Sequence, residues 1–281
     1  MCNWKKIKYF VSKCDQIEFC DAVPDNEGVL FEGMTSISAI MHGIDQGFNN
    51  RSILQVYFDR ERIEKKEKEI AFLVANAPKY GYTLYLTTKE ALETVSKGTT
   101  HGGIVAVCSE RTLPSLTENS VDTSLPFGSD SGFFVMLEGI EDPYNFGYTM
   151  RSLYAAGVDG VILSPRNWME VAGIVAKSAA GASEQLPIAI AAASDAMTFF
   201  RERGYHIACA GIRNAVSMYD ASLKKPLLLV VGGEKRGISS AALQLADTVV
   251  KIDYGREFRG SLSAASAATV LAFEVLRQNR S

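Results

Sequence analysis

Between residues 133 and 252, short and largely apolar runs alternate with segments of helical periodicity over short connections. The runs at 133–137, 158–163, near Ile188, near Ile207, at 228–231 and at 249–252 lack the in–out alternation of a half-exposed strand. A strand that is apolar throughout is buried on both faces, and crossover helices covering a parallel sheet provide that burial. Residues 132–281 are therefore predicted to form an α/β domain around a largely parallel sheet. Helices are expected from about Phe146 to Ala156, with Asn145 as N-cap and Gly157 as stop. An Asn167-Trp168-Met169-Glu170 capping box opens another, and a last one runs from about Leu262 to Arg277 behind Ser261.

Residues 31–108 read as a smaller α/β domain. Thr35 or Ser36 is expected to cap a helix that ends near Gln46 at Gly47. Residues 53–58, 83–86 and 103–107 have strand composition. Residues 61–77 carry opposite charges four apart (Glu61/Lys65, Glu64/Lys68), which suits a solvated helix face that Pro78 would end. Residues 109–131 hold Pro114, Pro126 and many small polar residues without periodicity, and are expected to be a linker. Residues 1–30 show no clear pattern and are treated as an extension.

With 47% hydrophobic and 22% charged residues the chain can bury sizeable cores. It has no apolar run of the roughly 18–20 residues that a transmembrane helix requires, and no signal-like apolar stretch follows Met1, so the expected location is the cytoplasm and no membrane partner is predicted. The five cysteines are scattered and the three histidines lie far apart, which predicts reduced thiols and no metal site. A net charge of −3 disfavours indiscriminate nucleic-acid binding, which rests on neutralising phosphates. Local binding stays open, because Arg151, Arg213, Lys235, Arg236, Arg256 and Arg259 lie beside the distinctive stretches.

Three such stretches sit where a strand pattern ends and a helix pattern begins: Asp142-Pro143-Tyr144-Asn145-Phe146-Gly147 running to Arg151, Gly232-Gly233-Glu234-Lys235-Arg236-Gly237, and Ser261-Leu262-Ser263. In open α/β sheets the carboxyl ends of the strands are where ligands gather. The glycine-rich turn matches neither the dinucleotide nor the P-loop pattern. Its Glu234 would repel phosphate, so a cationic or neutral polar ligand suits it better. A nucleotide-dependent enzyme using this turn for phosphate is correspondingly disfavoured.

Taken together, the three stretches resemble the SpoU/TrmH family of RNA ribose 2′-O-methyltransferases in order and spacing, with Ser178-Ala179-Ala180-Gly181-Ala182 as a further shared segment. The first domain resembles the small RNA-binding domain found ahead of that family's catalytic domain, through Thr100-His101-Gly102-Gly103. The resemblance implies a parallel sheet with a deep trefoil knot, a homodimer, and S-adenosyl-L-methionine as cofactor. It also implies an RNA substrate, ribosomal in the first instance and transfer RNA as the alternative. By the same resemblance Arg151, Asn145, Glu234 and Ser261 would serve catalysis, while Gly211, Gly232, Gly237, Ile252, Leu262 and Ser263 would contact the cofactor. The chain departs from the family at Ser263, where the family has Asn, and at Asp253, where it has Pro. Ser263 would then act through a water, or Arg256 or Arg259 would compensate; an RNA- and cofactor-binding protein without transfer activity is the alternative reading.

Overall fold

The computed structural model describes Tyr9, Ser12 and residues 15–23, 27–96, 101–116, 126–165, 171–233 and 237–280. The capping box expected at 167–170 and the Glu234-Lys235-Arg236 segment lie outside them. The chain forms two compact units, Met1–Thr112 with Trp168–Lys177, and Leu113–Asn167 with Ser178–Ser281.

The first unit is built on a five-stranded sheet in the order β1-β4-β3-β5-β2. Its strands are β1 (Ile17–Phe19), β2 (Val29–Glu32), β3 (Ile53–Asp59), β4 (Thr83–Thr87) and β5 (Ile104–Cys108). Strands β1, β4 and β3 run parallel, and β5 lies antiparallel to both β3 and β2. Helices α1 (Gly33–Asp45) and α2 (Glu67–Tyr80) pack Ile37, Ile40 and Met41, and Ile70, Leu73 and Ala77, into one core with Phe31, Val56, Phe58 and Leu84. Those residues recur at three- and four-residue spacing, the one-sided stripe of an amphipathic helix. A short helix α3 (Lys89–Val95) is capped by Thr88, whose hydroxyl accepts from the Ala91 N–H at 3.2 Å. Helix α5 (Ala172–Ser178), although encoded far downstream, contributes Ala172 and Ala176 to this same core. Its Lys177 pairs with the largely buried Glu32 at 2.5 Å.

Several expectations for this unit are corrected. Residues 17–19 and 29–30 are strand, not extension. Helix α1 starts at Gly33 without a side-chain cap, because Gly33 at φ +81° turns the chain directly out of β2. Residues 60–62 form a 3₁₀ turn, in which Asp59 accepts from the Glu61 N–H at 3.0 Å, so α2 begins only at Glu67. Pro78 lies inside α2 and does not end it. One turn from the helix end a proline forfeits only the bond to the Val74 carbonyl, and the left-handed Gly81 closes the helix.

The second unit holds a seven-stranded sheet, order β10-β12-β9-β11-β6-β7-β8, with every pairing parallel. Its strands are β6 (Phe133–Glu138), β7 (Gly160–Leu163), β8 (Ile188–Ile190), β9 (His206–Ala210), β10 (Val216–Ser217), β11 (Leu227–Gly232) and β12 (Thr248–Lys251). Central strands β6 and β11 are buried along nearly their whole length, as the apolar runs required. The helices are α4 (Pro143–Ala155), α6 (Ala182–Gln185), α7 (Ala193–Arg201), α8 (Ser240–Gln244) and α9 (Ala264–Asn279). Helix α7 seals one side through Phe199 and Phe200, in a cluster with Phe134 and Tyr205. On α9, Ala264, Ala268 and Leu271 are buried, and this helix packs along α4.

The stretch expected to be a linker is docked at both ends. The Ser109 N–H donates to the Ser52 carbonyl and its hydroxyl accepts from the Ser52 N–H, and Asn50 bonds the Thr112 backbone at 3.0 Å through its amide group and again through its carbonyl oxygen. Beyond the unit boundary, Leu116 and Ile190 pair through their backbones, and Phe127 is 1% exposed in the second core. Single buried anchors within a polar, proline-containing stretch leave no periodic signal to read.

Candidate active site

Parallel strands present all their carboxyl ends on one edge, which places the segments after β6, β9, β11 and β12 side by side. From β6 the chain steps outward to β7 and β8, then returns to build β9, β11 and β12 on the other side. This reversal is the topological switch point at which open α/β sheets bind ligands.

At that edge Gly232 pairs with Glu138. Gly233 donates its N–H to the Glu138 carbonyl at 2.6 Å, and Gly237 donates back to the Gly233 carbonyl at 2.9 Å. Glycine is dictated here by space. A Cβ on Gly232 would lie 2.3 Å from the Gly237 carbonyl carbon, and one on Gly233 would lie 1.9 Å from the Gly139 oxygen. Gly233 and Gly237 therefore lie against each other, and Gly233 rests against the backbone just after β6. Gly237, at φ +64°, supplies the left-handed step that closes it. The Glu138 carboxylate accepts from the Ser239 N–H at 3.1 Å. Sequence reading missed this anchor; its only signal was an acid at the end of an apolar strand.

Leaving β6, the chain turns at Gly139, φ +79°, and enters α4 through Pro143. The N-cap is Asp142, not Asn145: its carboxylate accepts from the Asn145 N–H at 2.7 Å. Proline fits the first helical position because its missing N–H would have had no intrahelical partner. Asn145 thus sits on the first turn, half-buried, with its carbonyl accepting from the Thr149 hydroxyl at 2.7 Å. Arg151 falls on the third turn, exposed. Six residues along a helix rotate the side chain to about 120° from its start, so Asn145 and Arg151 address neighbouring sectors of α4 and not a common one.

Gly211 follows β9 and donates to the Val250 carbonyl at 2.9 Å. Ile212 beside it is 73% exposed, and Ile252, just past β12, is half-exposed. At the end of β9 burial pushes the Cys209 thiol up to about 12, so it stays protonated.

The third stretch is corrected in detail. Helix α9 begins at Ala264, and its N-cap is Ser263, not Ser261. The Ser263 hydroxyl accepts from the Ser266 N–H at 3.1 Å and lies 3.0 Å from the Ser266 hydroxyl. Ser261 is exposed ahead of the helix. The Leu262 N–H donates to the Tyr254 hydroxyl at 3.2 Å. Ser and Asn are about equally good N-caps, so Ser263 keeps the capping role that Asn would fill. Ser263→Ala is expected to cost about 1 kcal/mol of stability in urea unfolding. Ser263→Asn should leave both unfolding and activity unchanged, and a sharp gain in activity would mean that the native site lacks a group.

A five-stranded mixed-sheet α/β unit and a seven-stranded, all-parallel α/β unit with a glycine turn at its switch point make this a two-unit α/β protein with the layout of an enzyme. Residues 132–273 match the SpoU rRNA methylase family, and residues 37–114 match the RNA 2′-O ribose methyltransferase substrate-binding domain. The chain belongs to the SpoU rRNA methylase family, and it is an S-adenosylmethionine-dependent RNA ribose 2′-O-methyltransferase. It is 29% identical over 218 residues to the 23S rRNA (guanosine-2′-O-)-methyltransferase RlmB of Shewanella oneidensis, covering 77% of this chain and 87% of that one. A putative TrmH family tRNA/rRNA methyltransferase of Staphylococcus haemolyticus is 34% identical over 145 residues, 51% of this chain and 58% of that one. The fold is shared with the AdoMet-bound rRNA methyltransferase from Sinorhizobium meliloti, with a TM-score of 0.72, 19% identity, and coverage of 95% and 100%.

The strand edge suits such a cofactor. It offers neutral glycine backbone at Gly211 and Gly232, exposed aliphatic surface at Ile212 for a flat ring, and no phosphate-binding pattern.

Proposed function

We propose that this enzyme methylates the ribose 2′-hydroxyl of a guanosine in ribosomal RNA, with Arg151 as the residue that acts on the hydroxyl. The observation that carries this reading is the seating of Gly233 on Gly139, which locks the turn after β11 onto the corner from which α4 presents Asn145 and Arg151. The name of the Shewanella relative, matched over most of its length, supports ribosomal RNA and guanosine.

S-adenosylmethionine supplies an electrophilic methyl group when bound. Gly211, Gly232, Gly237, Ile252, Leu262 and Ser263 would hold it, Leu262 through its carbonyl and side chain because its N–H is engaged by Tyr254. Arg151 would orient the hydroxyl and offset the negative charge that grows on its oxygen. A guanidinium is a poor base, so a substrate phosphate or water takes the proton. Asn145 and Ser261 shape the approach, together with Glu234, which lies outside the described residues. Holding oxygen and methyl in line supplies much of the acceleration.

The same reading includes a trefoil knot, a homodimer and action in the cytoplasm. A dimer is supported by the aromatic outer surface of α4 and α9, where Tyr144, Tyr148 and Phe273 are 54%, 52% and 44% exposed. The test is transfer of labelled methyl to unmodified total RNA, with the product mapped. S-adenosylhomocysteine should also raise the melting temperature, by about 2.7 kcal/mol of stabilisation at a hundred times its Kd, while ATP and NAD should not. Binding without transfer would favour the non-catalytic alternative.

A further inference from the structure

The loop between β12 and α9 carries, between Ile252 and Ser261, aromatic and basic side chains to which the proposed chemistry assigns no part. Tyr254 and Phe258 are 39% and 57% exposed, yet their rings contact each other edge to face, with centroids 5.7 Å apart and planes at 64°. Both rings stay partly exposed to solvent while each rests against the other. The Tyr254 hydroxyl accepts from the Leu262 N–H at 3.2 Å, which ties the pair to the third stretch of the site. Gly260 lies so close to the Phe258 ring that a Cβ there would meet it at 2.6 Å, so backbone supports the ring from one side. Arg256 and Arg259 flank Phe258, exposed, and neither forms an ion pair among the described residues. Exposed aromatics beside unpaired guanidinium groups are the combination that holds single-stranded nucleic acid: rings stack on bases and cations meet the backbone.

We propose that the Tyr254–Phe258 pair, with Arg256 and Arg259, is a stacking platform for an unpaired nucleobase of the RNA substrate, next to the nucleotide being methylated. The proposal rests on the methylation reading above and adds to it a requirement for an unpaired base at the site. A base seated there would draw a locally single-stranded segment across the carboxyl edge of the sheet, with its phosphates on the two arginines.

The test uses the full-length protein with a fluorescein-labelled unstructured RNA for binding and unmodified ribosomal RNA for transfer. Phe258→Ala should weaken RNA binding by about 5- to 150-fold, the range for losing one base–aromatic stack. It should raise KM more than it lowers kcat and leave S-adenosylhomocysteine affinity unchanged, and Phe258→Trp should restore binding. Arg256→Gln with Arg259→Gln should reduce the slope of log K against log salt by about 1.4, two single-strand phosphate contacts, whereas Phe258→Ala should leave that slope alone. Unchanged RNA affinity in Phe258→Ala overturns the platform and leaves the methylation reading intact. So does a loss fully explained in sedimentation by separation of two copies of the chain, which would make the rings an interface. A native protein that transfers methyl to no RNA overturns both.

Discussion

Arg151→Ala is expected to lower kcat for methyl transfer to RNA by about 100- to 1,000-fold, the usual cost of removing one group that stabilises a developing oxyanion. S-adenosylhomocysteine affinity and melting temperature should not change. The separation follows from position. Arg151 projects from the third turn of α4, exposed, while the buried side of that helix is made by Phe146, Met150 and Leu153. Truncating Arg151 opens no cavity and leaves no buried partner unsatisfied, so a structural role predicts almost nothing and a role at the hydroxyl predicts a large loss. Arg151→Lys keeps the charge but not the planar fork of donors, and should recover only part of the rate. A variant with full activity would remove Arg151 from the mechanism; one that also lost cofactor affinity would make it a structural residue.

Gly233→Ala should be the most damaging small substitution in the second unit. The added methyl would lie 1.9 Å from the Gly139 oxygen, 2.5 Å from its carbonyl carbon and 3.1 Å from the Ile140 nitrogen. All three are backbone atoms, so no flexible side chain can swing away. Either the turn after β11 or the corner before α4 must move, breaking the 2.6 Å bond from the Gly233 N–H to the Glu138 carbonyl. Overpacking of this kind costs about 1–3 kcal/mol, or roughly 2–4 °C of melting temperature per kcal/mol for a domain of this size. Cofactor affinity should fall with it, because the displaced turn is the one that carries Gly232 and Gly237. Thermal unfolding and titration with S-adenosylhomocysteine measure the two effects separately. An unchanged melting temperature would mean that Gly233 does not rest on Gly139.

How far the chain could be read depended on whether a signal was local. Six of the seven strands of the second unit were legible, because a strand buried on both faces must be apolar residue by residue, as β6 and β11 are; the two-residue edge strand β10 (Val216–Ser217) is too short to leave such a run and was missed. The first two stretches were legible because each follows a strand end, where turn residues interrupt that run; the third lies ten residues beyond β12, at the start of α9. The helix starts were less so. Asp142, Asn145, Ser261 and Ser263 are all good caps by composition, and only the geometry shows that Asp142 and Ser263 accept the amide bonds. Pro143 could have decided the first case, since a proline prefers the first helical position.

Sequence alone determined the α/β class and the parallel sheet, because these follow from periodicity, while the resemblance of its three stretches to a known family supplied the chemistry to be looked for. Only the tertiary structure decided that α5 joins the first unit's core, that Glu138 anchors the glycine turn, that Tyr254 takes the Leu262 N–H, and that Gly233 has no room for a side chain. Each of these depends on atoms brought together from distant parts of the chain, and close approach in space leaves no periodic trace along it.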